Sequence, residues 1–268
     1  AASDVYKRQG VWFVIAVLAA GFAALFGRGA RGSWVWFAGA MAALIVLFVT
    51  PVGRLADGNM FSAHMVQHLT LLLVVPLCLV HCVPVEKAER FFSRAGAERW
   101  GKLLAWPPLG WSLGLSVMWI WHVPALCSAS LAYGPLGLFQ DVTFVLAGLA
   151  FWWPVFSPVR RYRLDPPVAA TYLFIACVGC TLLGIYITFS PVSVCPAFAQ
   201  PAGAGGVLHA LRAGGFSAAL DQRLGGLLMW VPPCVLYAGA IVAVFCRWNR
   251  PEGDGALAAG NKGELGNV

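Results

Sequence analysis

Charge is what this chain has least of. Only 11% of its 268 residues are Asp, Glu, Lys or Arg, where a soluble domain carries roughly 25%. With 60% hydrophobic residues and a mean hydropathy of +0.76, that scarcity excludes a water-soluble globule. It leaves a polytopic membrane protein with almost no soluble part. Acidic residues are the rarer sign, 11 against 18 basic, but the basic excess does not describe a nucleic-acid surface. The Lys and Arg residues fall in short loops between apolar runs, the pattern of membrane orientation. Carboxylates are missing from the interior of every apolar run, which argues against a proton or sodium pathway built from them. The last run has no Lys for a retinal Schiff base. No strong internal repeat is visible, which speaks against an inverted-repeat transporter. An initiator Met and a signal peptide with a cleavage site are also lacking. Residues 1–9 match nothing in the apolar pattern and read as a non-native or disordered start.

What is present is a succession of apolar runs near the length of roughly 20 residues that spans a bilayer. Seven are expected: Gly10–Phe26, Trp34–Val52, Phe61–Val83, Trp106–His122, Val142–Val159, Pro167–Ser190 and Leu224–Cys246. The expected fold is therefore an all-α membrane protein, a bundle of seven transmembrane helices in residues 10–246 with a disordered tail over 247–268. Many of the 12 Trp residues lie near span ends, as an interfacial belt requires. Thirteen of the 18 Lys and Arg residues fall in one set of alternating loops. That set is cytoplasmic, which puts the N-terminus outside and the C-terminus inside. The longest inner loop, Glu86 to Leu104, mixes aromatics with five basic residues and is expected to lie in the interface as a short amphipathic helix. The longest outer loop, Pro191 to Arg223, is rich in Gly, Ala and Pro and has no clear core of its own.

Polar chemistry collects at one depth. His64, Met65 and His68 begin the inward-going third span, and four residues on a helix is about one turn, so both imidazoles share a face. His122 ends the outward-going fourth span at the same level. Two or three neutral imidazoles with a thioether suit copper, the soft cuprous ion above all. The alternative is that these are interfacial histidines among belt tryptophans. Met229, in the seventh span, is a further soft ligand candidate, although its spacing alone favours a core methionine. Asp141, Asp221 and Gln222 sit where they would hydrogen-bond and orient a ligating histidine, and equally where a charge favours a helix N-terminus. Two axial histidines on different helices, His68 and His122, would alternatively hold a haem.

The eight cysteines do not form a compact secreted framework. Cys177 and Cys180 form a CxxC in mid-span, where packing is the preferred reading because a buried thiolate is costly. Cys78, His81 and Cys82 share a face at the inner end of span three. Cys127 and Cys195 both fall in outer loops, where a disulfide is possible.

At these residues the chain resembles the seven-span CtaG family of cytochrome c oxidase assembly factors associated with caa-type oxidases. The matching stretches are Ser62-Ala63-His64-Met65-Val66-Gln67-His68, Trp121-His122-Val123-Pro124-Ala125-Leu126, Phe151-Trp152-Trp153-Pro154-Val155, Thr188-Phe189-Ser190 and the run from Asp221 to Trp230. The resemblance implies a non-enzymatic role in assembling the oxidase in a bacterial inner membrane, with its subunits and the lipid bilayer as partners and no nucleic acid. It implies copper handling, carried onto His64, His68, His122, Asp221, Gln222 and Met229. Two departures stand out. The family often has His-x-x-Glu-His where this chain reads Gly137-Leu138-Phe139-Gln140-Asp141, and Tyr with an acidic residue where Cys127 and Ser128 stand. A copper transporter is the rival reading, with the Cys177/Cys180 and Cys78/Cys82 pairs as its polar path.

Overall fold

A computed structural model describes residues 20–23, 31–199, 210–211 and 213–249. The expected first span falls almost wholly outside them, as do residues 1–9 and the tail beyond Asn249. Among the described residues all regular structure is helical. In chain order the helices are α1 (Arg31–Phe48), α2 (Pro51–Ala56), α3 (Phe61–Cys82, with a π-helical turn at Thr70–Val74), α4 (Val85–Phe92) and α5 (Ala95–Leu104). They continue with α6 (Pro107–Trp121), α7 (Pro124–Ala132), α8 (Gly134–Phe156), α9 (Pro166–Phe189) and α10 (Ala218–Trp248).

Four of these are long and apolar enough to cross a membrane: α3, α8, α9 and α10. They make this a multi-pass membrane protein. The expected fourth span is shorter than it reads in sequence. Its helix α6 has 15 residues, about 22 Å at roughly 1.5 Å per residue. It reaches span length only together with α5, from which it is bent by 62°. Pro107 sets that boundary, because the residue before a proline is driven out of helical geometry; Trp106 is extended. The second expected span is a shorter apolar helix, Gly32–Phe48. It stops where Thr50 accepts a hydrogen bond from the Val52 N–H and Pro51 opens α2, a start signal for a new helix. Prolines likewise open α6, α7, α8 and α9.

The core is built on α3. Its first half packs on α10, and its second half packs on α1 and α8. The change of partner coincides with the π-helical turn and Pro76, which break the regular ladder. Beside this break the Leu73 carbonyl accepts a hydrogen bond from the Trp152 indole at 3.0 Å. Gly148 brings α8 so close to the Leu72 carbonyl that a Cβ there would collide with it. Gly184 and Gly226 do the same between α9 and α10, where a Cβ on Gly184 would stand 2.9 Å from the Gly226 carbonyl. Small residues at such crossings let helices pack in a membrane, where no hydrophobic force drives them together.

Three loop expectations change. The Glu86–Leu104 stretch is two helices, α4 and α5, broken at Ser93 and Arg94. Arg161 anchors the first by donating to the Glu89 carboxylate and the Phe92 carbonyl. Secondly, the long Pro191–Arg223 loop does have buried residues: Val194, Cys195 and Phe198 are nearly inaccessible. Thirdly, the last helix runs two residues past the expected start of the tail, to Trp248.

Candidate metal centre

The start of α3 carries the candidate ligands because it is fixed from outside itself. The Asp221 carboxylate, on α10, accepts from the Phe61 N–H at 2.8 Å, the Ser62 N–H at 3.1 Å and the Ser62 hydroxyl at 2.6 Å. These are orphan donors of a helix N-terminus, and an anion suits them doubly because the helix dipole is positive there. Asp221 therefore acts on the histidines by holding the helix that bears them. Further along, Gln67 donates to the Leu47 carbonyl at 3.2 Å and ties α3 to α1.

His64 and His68 then project side by side, with ring centroids 4.1 Å apart. His68 lies 5.5 Å from the His122 ring and 4.4 Å from the Phe144 ring, and His64 lies 5.3 Å from Phe198. All three imidazoles are buried. His122 stands at the C-terminus of α6, where its Nδ1 is 2.6 Å from the Met118 carbonyl. A proton on Nδ1 satisfies that oxygen and leaves the Nε2 lone pair facing inward. There Nε2 meets the Met65 sulfur at 3.2 Å. So His64, Met65, His68 and His122 come together from two helices. The four ring nitrogens of His64 and His68 have no hydrogen-bond partner. Neutral imidazole has one donor and one acceptor, and a buried polar group left unpaired costs about 1–3 kcal/mol.

The remaining sequence candidates are placed less directly. Met229 is fully buried, two turns along α10 from Asp221; Gly225, one turn before it, packs on Phe61 and Met65. Gln222 serves the neighbouring loop. Its side-chain oxygen accepts from the Val194 N–H, and its amide donates to the Ile187, Ser190 and Val192 carbonyls. That loop is also tied by a Cys127–Cys195 disulfide, and it places Phe198 over His64. Asp141 is half-buried on α8 beside Gln140. Gln140 is 2% exposed with its amide nitrogen unpaired. Sequence reasoning passed it over. Cys78, His81 and Cys82 do not converge on an ion. The His81 ring lies between Trp36 and Phe156, and the Cys82 thiol donates to the Leu79 carbonyl.

Among the described residues no group of three His, Cys, Asp or Glu side chains is spaced to hold a metal ion. What stands here instead is a mixed imidazole and thioether set. Thioethers and imidazoles are soft to borderline donors, suited to a cuprous ion and unsuited to magnesium or calcium. The orphaned nitrogens supply the lone pairs such an ion needs.

Residues 11–251 match the sequence profile of the cytochrome c oxidase caa3 assembly factors. The chain belongs to that family. Among curated proteins it is 27% identical to an uncharacterized protein of Mycobacterium bovis and to one of Mycobacterium tuberculosis, over 87% of this chain and 37% of theirs. It is 24% identical to an uncharacterized protein of Mycobacterium leprae, over 88% of this chain and 38% of that one. The chain thus spans less than two fifths of the length of these relatives. No solved structure matches it. In this member of the caa3 assembly factor family, Trp152 of the Phe151-Trp152-Trp153-Pro154 stretch ties α8 to α3 through the Leu73 carbonyl.

Proposed function

We propose that this chain is a non-enzymatic assembly factor that binds copper, as Cu(I), between His64, His68, His122 and Met65, and passes it to cytochrome c oxidase. It works in a bacterial plasma membrane with seven spans, its N-terminus and histidine cluster outward and its tail cytoplasmic. The observation that carries the reading is the set of four unpaired imidazole nitrogens beside the His122–Met65 contact. A fold that buries four such atoms without partners is destabilised, unless a ligand arrives to use them. Membership of the oxidase assembly family supplies the recipient. The basic residues of α4 and α5 and the Arg160–Arg163 turn gather at the opposite end of the bundle, which supports the orientation.

The close ring packing favours an ion over a haem. His68 has other rings within 4.1, 4.4 and 5.5 Å, which leaves no slot for a macrocycle between it and His122. Metal analysis of the purified chain beside a His64→Ala, His68→Ala double variant tests the reading, together with oxidase activity in a deletion strain complemented at matched protein levels. The variant is expected to lose copper and lower oxidase activity. Full activity from it would end the copper-delivery mechanism.

A further inference from the structure

A second group of soft ligands lies deeper in the bundle, on three helices. Met118 of α6 and Cys180 of α9 are each 1% exposed, and their sulfurs are 4.0 Å apart. Cys180 also meets the Tyr237 hydroxyl of α10 at 3.6 Å. One turn before Cys180, Cys177 is joined to Cys234 of α10. The CxxC partners are therefore not paired with each other, and Cys180 remains a free thiol. Met118 links this group to the histidine cluster, since its carbonyl holds the His122 ring.

We propose that Cys180 and Met118 form a second Cu(I) site, a step below the histidine cluster. It takes its ligand class from the copper reading above, but none of its residues. Two metal–sulfur bonds of about 2.3 Å span sulfurs 4.0 Å apart when they enclose about 120°. That is the angle of a planar three-coordinate ion. Two protein sulfurs supply two of its three positions. Binding breaks the Cys180 S–H bond, forms a Cu–S bond and releases one proton. The thiolate charge cancels the charge of Cu(I), so the complex is neutral and lacks the penalty of a bare ion at bilayer depth. The Tyr237 hydroxyl is positioned to donate to the thiolate sulfur and steady it. The bland reading is that Cys180 fills space as a small hydrophobe, and it predicts no copper at this depth.

The test is an anaerobic Cu(I) titration of the detergent-solubilised full chain against a chromophoric Cu(I) chelator. The background carries Cys78→Ser, Cys82→Ser and Cys246→Ser, which removes the other free thiols. Two equivalents are expected. Cys180→Ser should lose one, and the volume-conserving Met118→Leu should weaken that one at least tenfold. The His64→Ala, His68→Ala variant should keep one equivalent with a sulfur-only shell by X-ray absorption. Undiminished binding in both Cys180→Ser and Met118→Leu, at unchanged elution volume, overturns the second site and leaves the histidine site standing. Loss at Cys180→Ser with no loss in the double histidine variant upholds the second site and overturns the first.

Discussion

Asp221→Ala should unfasten α3 without touching a histidine. The carboxylate is 1% exposed and accepts from two backbone N–H groups and one hydroxyl. Hydrogen bonds to a charged group are worth about 1.5–3 kcal/mol each. The Ser62 hydroxyl can rotate to another acceptor, so only the two amides are counted. Leaving the Phe61 and Ser62 amides without acceptors therefore costs about 3–6 kcal/mol. Asp221→Asn keeps one acceptor oxygen and loses the charge, so it should cost about half as much. Unfolding of the purified protein in detergent, followed by helical circular dichroism, reads both values. Copper affinity should fall at least tenfold in the Ala variant, because His64 lies two residues beyond Ser62 and depends on the same anchor. A cost under about 1 kcal/mol for Asp221→Ala, or equal costs for Ala and Asn, would refute the view that this carboxylate fixes the helix.

Replacing both His64 and His68 by Leu should abolish copper binding while leaving the metal-free protein as stable as before or more so, since buried unpaired nitrogens disappear; marked destabilisation would mean that the rings have partners. Gly148→Ala should push α8 off the Leu72 carbonyl and cost about 1–3 kcal/mol by thermal unfolding. Cys195→Ser removes a crosslink between residues 68 apart, worth about 4 kcal/mol by loop entropy, and should reduce the reductant-dependent gel shift to the part left by Cys177–Cys234. Reporter fusions after Arg94 and after Ala204 should report cytoplasm and periplasm respectively, and the reverse would place the histidine cluster at the cytoplasmic face.

Hydropathy made the long apolar helices legible but not all of their ends, since α8 and α10 begin eight and six residues before the expected runs from Val142 and Leu224. The expected runs from Phe61 and from Pro167 end within a residue of α3 and α9. The run from Trp106 matches the 15-residue α6 to within a residue at each end, but the 62° bend between α5 and α6 was not legible. The His64/His68 pair was visible as a helical spacing, and its approach to His122 followed from shared depth. The Met65–His122 contact was not visible, because it depends on how far α3 and α6 are rotated about their own axes. Nor was the Cys177–Cys234 pairing, since proximity across two helices leaves no mark in either strand of sequence. Cys127–Cys195 was open on loop position alone, and the structure closes it.

The polar groups around the histidines divide into two kinds, and the division bears on what the cluster is for. Asp221, Gln222 and Gln67 each spend their side chains on backbone groups of another segment. They tie α10 to α3, the loop to α10, and α3 to α1. A fold using histidines as glue would do the reverse, giving the imidazoles the carboxylate and amide partners within reach, since an unpaired buried nitrogen costs about as much as a made bond returns. Here the neighbours fix the frame, the walls are aromatic or thioether, and the ring nitrogens of His64 and His68 are left unpaired. That arrangement holds lone pairs in place for something else, and a soft cation is the ligand whose chemistry matches them.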